Sequence, residues 1–248
     1  MWKLRAILIS FPAIVFATIV MGSISLACSV WDRTGVSQHK VARLWSRILL
    51  ILGFVECSSF GLEKLDPQRS YVLVANHASY MDTPAIMGTV PLEFRFFAKK
   101  GLFSIPFLGW HLRHAGHLQV VRDDPRASLK SMAEGAKLIR ERGVSVLLFP
   151  EGGRSERQIR SFKEGAAYMA IKAGVPVVPI GLVGTRGALP MHSALVRGGR
   201  VELHVGDPIE TSAMTLHDRG RLTRELQERV AAMIGETVAA ETVAGNPE

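Results

Sequence analysis

His77 and Asp82, five residues apart in Asn76-His77-Ala78-Ser79-Tyr80-Met81-Asp82, are a base and a carboxylate that one proton transfer can use. An imidazole with an unperturbed pKa of about 6.5 can take a proton from a hydroxyl near neutral pH, and a positioned base contributes about 10²–10⁴-fold to a rate. Five residues along a regular helix turn the side chain through about 140°, onto a different face. The chemistry therefore needs His77 in a strand-to-helix turn and Asp82 in the first helical turn, where the carboxylate accepts the second imidazole proton and fixes the tautomer. A second block, Phe149-Pro150-Glu151-Gly152-Gly153-Arg154-Ser155, supplies the parts of an anion cradle. Gly152 and Gly153 permit positive φ and bring N–H groups towards an anion, and Arg154 can grip a phosphate in bidentate fashion. Glu151 can orient Arg154 or hydrogen-bond an acceptor hydroxyl. Each block alone has a plain structural alternative: Ser79-x-x-Asp82 reads as a capping box, and the glycine block as a β-turn with a solvated Arg-Glu pair. The second block lacks GxxxxGK[ST] spacing and is not a nucleotide P-loop.

Both blocks follow apolar runs of strand character, Tyr71 to Ala75 and Val144 to Phe149. From about residue 70 such runs alternate with helical stretches, which indicates an α/β fold, a single sheet flanked by helices. Leu118 to Val121 is another expected strand. Asp123 or Asp124 then caps a helix with Pro125 in its first turn, which runs to about Arg142 and stops at Gly143. A helix from about Lys163 to Ala173 ends at Gly174, Val175 to Val183 and Val201 to Val205 are further strands, and Leu222, Leu226, Val230 and Ile234 mark a closing amphipathic helix. In open α/β sheets ligands gather beyond the C-terminal strand ends, where both blocks fall.

The 248 residues carry 30 Lys and Arg against 22 Asp and Glu, a net +8, which implies an anionic partner. No zinc-finger spacing, aromatic-laced basic strand or long basic block supports nucleic acid, which is excluded as a partner. The N-terminus supports a phospholipid membrane instead. No charged residue occurs between Ala6 and Trp31, enough helix to exceed the roughly 30 Å hydrocarbon thickness and longer than the apolar region of a cleaved leader. A second segment, with Val41, Leu44, Trp45 and Ile48 at helical spacing and an apolar run to Val55, is suited to the membrane interface, with Lys40, Arg43 and Arg47 able to reach anionic lipid, or else to packing on the soluble domain. The expected organisation is a membrane anchor and interfacial helix over 1–60, an α/β domain over 61–236 and a flexible tail over 237–248. The larger number of basic residues after the apolar run points to the cytoplasmic face of the inner (plasma) membrane. Cys28 and Cys57 make no disulfide framework, and His111, His114 and His117 recur at a spacing that rotates the third away, so no metal site is expected.

Taken in order, Asn76–Asp82, Gly116-His117-Leu118-Gln119-Val120-Val121-Arg122, Phe149–Ser155 and Val175-Pro176-Val177-Val178-Pro179-Ile180 resemble the four sequence blocks of the glycerolipid acyltransferases, in particular the 1-acyl-glycerol-3-phosphate acyltransferases, over roughly residues 70–185. Lys99 to Gly109 is similar to that family as well. The resemblance implies transfer of a fatty acyl group from acyl-CoA or acyl carrier protein to the sn-2 hydroxyl of lysophosphatidate, giving phosphatidate for phospholipid biosynthesis, with no cofactor. It implies His77 as the base, Asp82 as its partner, and Glu151, Gly152, Gly153 and Arg154, with Arg122 and Lys100, as the acceptor phosphate site. Attack would be direct, which fits the absence of a GxSxG elbow, and backbone N–H groups near the NH turn are candidates for the oxyanion donors. Gly153 stands where the family usually has threonine, Ala78 where it often has glutamine, and Gln119 replaces an apolar residue. Those departures bear on acceptor choice and leave another lyso-lipid, such as a lyso-ornithine lipid, as an alternative. Readings from other classes are a non-catalytic membrane lipid-binding protein, which needs no base, and a thioesterase in which His77 activates water.

Overall fold

A computed structural model describes residues 2–121 and 124–236. A helical run opens the chain as α1 (Trp2–Arg5), a π-helical turn (Ala6–Ser10) and α2 (Phe11–Cys28), and α3 (Val36–Leu52) returns alongside it. Next come β1 (Val55–Phe60), β2 (Val72–Ala75), α4 (Asp82–Thr89), β3 (Phe94–Lys99), α5 (Leu108–His114) and β4 (Leu118–Val120). The chain continues through α6 (Pro125–Arg142), β5 (Ser145–Leu148), α7 (Gly165–Ala173), β6 (Val177–Val183), α8 (Thr185–Ala188), β7 (Gly199–Val205) and α9 (Arg219–Ile234).

One seven-stranded sheet has the order β1-β7-β6-β2-β5-β3-β4. The five strands from β6 to β4 are parallel, whereas β7 meets β6 antiparallel and carries β1 parallel to itself. Central strands of a sheet covered on both faces must be apolar throughout, and β2 and β5 are buried at every residue. Alternation along β2 sends Leu73 and Ala75 into a core with Ile86, Phe94 and Ile180, and Val72 and Val74 into a second core with Met169, Leu222 and Leu226. Val74 pairs with Leu148, so the two polar blocks leave neighbouring strands side by side.

Helix signals fall where the sequence puts them. Asp124 caps α6, its Oδ1 accepting from the Arg126 and Ala127 amides at 2.9 and 3.1 Å, and Gly143 ends the helix at φ +62°.

Two expectations change. β1 belongs to the sheet through its pairing with β7, so the expected division at residue 60 falls after the first strand: Gly53 ends α3, and the apolar run to Val55 splits between helix and strand. Arg43 and Arg47 do not reach out towards lipid. Arg43 Nη2 donates to the carbonyls of Val90 and Leu92 at 2.8 and 2.7 Å, and Arg47 Nε to that of Gly88 at 2.9 Å. The last carbonyls of a helix lack partners of their own, and these guanidinium groups supply them at the end of α4 while docking α3 on the domain. The expected tail, 237–248, lies outside the described residues.

Candidate active site

β2 ends at Ala75, and Asn76 fixes the course of the chain beyond it. The Asn76 side-chain amide donates to the Leu182 carbonyl at 3.0 Å and accepts from the Leu182 N–H at 2.8 Å, tying the exit of β2 to β6. His77 therefore sits in the turn, and Asp82 is the first residue of α4. His77 Nδ1 lies 2.8 Å from Asp82 Oδ2, which also accepts from the Ala78 and Ser79 amides at 2.7 and 2.8 Å. A carboxylate oxygen gathering N–H donors leaves Nδ1 protonated and Nε2 free to act as a base. Asp82 is fully buried, and the His77 side chain, 15% exposed, keeps a limited opening to solvent. The ring stacks on Phe149, centroids 4.1 Å apart at 18°. Both readings of Asp82 hold at once: the carboxylate braces the turn into α4 and orients the imidazole. Ser79 completes no capping box, because its Oγ accepts from the Met81 N–H and donates to the Leu189 carbonyl.

The second block is fastened to the first through the peptide of His77. Its N–H donates to Glu151 Oε1 at 2.6 Å, and its carbonyl accepts from the Ser155 N–H at 2.8 Å. Glu151 Oε2 accepts from the Arg160 N–H at 3.0 Å. Glu151 is thus buried, with both oxygens committed to backbone, and it faces neither Arg154 nor open space. Burial pushes its carboxyl above the usual range, and the two backbone donors oppose that shift. Gly152 takes φ +72° and donates to the Phe149 carbonyl at 3.1 Å, and the Lys163 N–H returns to the Pro150 carbonyl at 3.0 Å. Arg154 lies over Tyr80 from the first block, guanidinium carbon 3.6 Å from the ring centroid, and no carboxylate pairs with it among the described residues.

The remaining phosphate-site candidates are less closely joined. Lys100 follows β3 at the same sheet edge, and with Lys130 and Ser131 it lines a surface concavity of about 360 Å³ beside α6. Arg122 lies outside the described residues. The amides of His77, Ala78 and Ser79, expected as oxyanion donors, are all engaged within the protein, because holding the turn consumes them. Those of Gly153 and Arg154 have no partner among the described residues.

An apolar cavity of about 350 Å³ opens between the N-terminal helices and the domain, lined among others by Met21, Trp45, Thr83, Met87 and Phe107. Thr83 and Met87 belong to α4, immediately after Asp82. Phe107 presses on α2 at Gly22, where a Cβ would fall 2.5 Å from its ring. The neighbouring histidines serve structure. His111 Nδ1 lies 2.7 Å from Ser25 Oγ, His114 hydrogen-bonds Trp110, and His117 is buried against Phe96, where desolvation holds its imidazole well below its usual pKa.

Sequence reasoning did not single out Asn76, Phe149, Ser155 or Lys163. Only their position inside or just after the two blocks marks them, since their partners are distant in sequence.

The arrangement can therefore deprotonate a hydroxyl beside a cationic loop that suits a phosphate, next to an apolar cavity. A family described as Acyltransferase matches residues 58–183. The chain is 36% identical over 231 residues to a 1-acyl-sn-glycerol-3-phosphate acyltransferase of Chlamydomonas reinhardtii, covering 88% of this chain and 68% of the algal protein. It is 36% identical over 177 residues to the chloroplastic 1-acyl-sn-glycerol-3-phosphate acyltransferase LPAT1 of Arabidopsis thaliana, covering 70% of this chain and 49% of the plant protein, so it spans about half of that relative. The crystal structure of the 1-acyl-sn-glycerophosphate acyltransferase PlsC from Thermotoga maritima matches with a TM-score of 0.79 at 27% identity, over 95% of this chain and 97% of that one.

Proposed function

We propose, from the premise that this chain belongs to the 1-acyl-sn-glycerol-3-phosphate acyltransferase family, that it transfers a fatty acyl group from a thioester donor to the sn-2 hydroxyl of lysophosphatidate, giving phosphatidate. The observation that carries the reading is the 2.8 Å contact of His77 with fully buried Asp82, on a peptide held at both ends by the cationic loop. A protein that only bound lipid would need the loop but not the base.

His77 Nε2 takes the proton of the acceptor hydroxyl as its oxygen attacks the thioester carbonyl. The C–O bond forms, the C–S bond breaks, and the imidazolium returns the proton to the departing thiolate. Asp82 holds the tautomer before attack and stabilises the imidazolium after it. The Gly152–Arg154 segment holds the acceptor phosphate, and the Gly153 and Arg154 amides, unpartnered among the described residues, are its backbone donors. The apolar cavity beside α4 takes an acyl chain. Lys100, at the end of β3, remains a secondary cation, and Arg122 keeps that role only as the family resemblance implies it.

The apolar helix Trp2–Cys28, the only one among the described residues long and apolar enough to cross a bilayer, points to membrane association. The domain holds this helix near both ends: Arg5 Nη2 donates to the Arg197 carbonyl at 2.5 Å, and Ser25 meets His111. Trp45 Nε1 binds Thr18 in between. A helix lashed along the domain in this way, with Leu8, Phe16 and Ile19 turned outwards, offers its apolar outer side to a bilayer, with the domain on the cytoplasmic face of the plasma membrane.

The test is acyl transfer by the purified protein in detergent, supplied separately with acyl-CoA and acyl carrier protein thioesters and a panel of lyso-lipid acceptors, beside His77→Ala. Lysophosphatidate should be acylated by the native protein and not measurably by the variant. No product with either donor, an unimpaired variant, or fatty acid released equally with and without acceptor would each overturn the reading.

A further inference from the structure

Lys163 lies outside the block that forms the phosphate loop, yet the fold returns it there. Its N–H is fixed to the Pro150 carbonyl, and its side chain crosses Gly152: a Cβ built on Gly152 would lie 3.2 Å from both Cε and Nζ of Lys163. The ammonium therefore rests on the left-handed turn of the loop. Neighbouring acids are committed elsewhere, Glu151 to two backbone amides and Glu164 to Arg219 at 2.6 Å. Lys163 Nζ has no ion-pair or hydrogen-bond partner among the described residues. Phe162, buried in the second core, and its N–H bond to Gln227 Oε1 at 2.9 Å hold the preceding residue in place. An exposed lysine on a fixed backbone, with no acid to satisfy it, stands beside the glycine-rich turn whose other cation, Arg154, is steadied by Tyr80.

We propose that Lys163 is a second cation of the acceptor phosphate site and that the pair selects a phosphate monoester dianion. The assignment rests on the lysophosphatidate reading above. A monoester phosphate carries close to two negative charges at neutral pH and a phosphodiester carries one, so a second fixed cation discriminates between lyso-lipids by headgroup. Gly153 contributes no hydroxyl to the loop, which increases the share left to cations.

The experiment compares native protein with Lys163→Gln, Lys163→Met and Lys163→Arg, measuring kcat and KM for lysophosphatidate, for a lysophospholipid with a phosphodiester headgroup, and for acyl-CoA. The glutamine and methionine variants should raise KM for lysophosphatidate about 10- to 150-fold, the range set by one charge-assisted contact. Their kcat should stay within about twofold, the diester acceptor and the donor should be little affected, and arginine should restore binding. An unchanged acceptor KM overturns the proposal, as does a rise confined to acyl-CoA, which would assign the lysine to donor phosphates. Equal losses for both acceptors with a lowered melting temperature would assign it to loop structure. If native protein acylates only an acceptor without a phosphate monoester, the functional reading itself fails, an outcome distinct from an active enzyme indifferent to Lys163.

Discussion

Asp82→Asn isolates the charge of the buried carboxylate from its shape. Asp82 Oδ2 accepts from His77 Nδ1 and the Ala78 and Ser79 amides, while Oδ1 is buried with no partner among the described residues. The asparagine oxygen can keep all three donors, which leaves its NH₂ in the unpartnered position. The tautomer then survives, and what disappears is the negative charge facing the imidazolium that forms during attack. A hydrogen bond to a charged group is worth about 1.5–3 kcal/mol, and each 1.36 kcal/mol is tenfold in rate, so kcat should fall between about 10- and 150-fold. Asp82 has no exposed surface, so KM for either substrate should stay within about twofold. The unpaired amide costs about 1–3 kcal/mol of stability, a melting shift of several degrees with the fold retained. Asp82→Ala, which also orphans two backbone N–H groups and frees the imidazole, should approach the loss of His77→Ala. Initial rates across both substrate concentrations, with melting curves on the same preparations, decide the matter. A kcat for Asp82→Asn within about threefold of native, or a loss expressed only in KM, would refute the charge argument.

The geometry sets three further outcomes. Burial, with Arg43 and Arg95 nearby, holds His39 down at a pKa of about 4, whereas the unfolded chain takes that proton near 6.5. The unfolded state therefore binds more protons between those values and stability falls as pH drops through them: His39 should account for about 2 kcal/mol between pH 7 and pH 5, read as a flatter pH dependence of melting in His39→Gln. Gly152→Ala places a Cβ at φ +72° and 3.2 Å from the Lys163 side chain, so it should cost about 1–2 kcal/mol and raise KM for the acceptor, checked by melting and kinetics. Gly22→Ala must push the Phe107 ring off α2 and reshape the apolar cavity, which should shift acyl-chain preference in a donor-length series with little change in His77-dependent chemistry.

What the sequence made legible is local. Buried central strands are continuous apolar runs, so β2 and β5 and the blocks beyond them could be found from Val72–Ala75 and Ser145–Leu148 alone. β1 and β3 could not. β1 is a polar edge strand, Val55-Glu56-Cys57-Ser58-Ser59-Phe60, made a strand by pairing with β7 far along the chain. β3 contains Arg95, which is 2% exposed and reads as a surface residue until the Thr34 carbonyl and Glu93 are seen to satisfy it. Glu151 shows the same limit within the site. Beside Arg154 in sequence it suggests an ion pair, but a carboxylate in a tight turn is claimed by the nearest unsatisfied amides, and one of these belongs to His77 across the sheet edge.

The grip of the second block on the His77 peptide has a geometric consequence. With its N–H and carbonyl both anchored to one loop, the His77 backbone is held against the proposed phosphate seat, so base and loop form a fixed calliper. In the proposed substrate the free sn-2 hydroxyl stands one carbon nearer the phosphate than the free sn-1 hydroxyl of the 2-acyl isomer does. A rigid span of this kind separates the two positional isomers by length alone, and in the proposed reaction regiochemistry rests on two hydrogen bonds of the His77 main chain, one to the Glu151 carboxylate and one from the Ser155 amide.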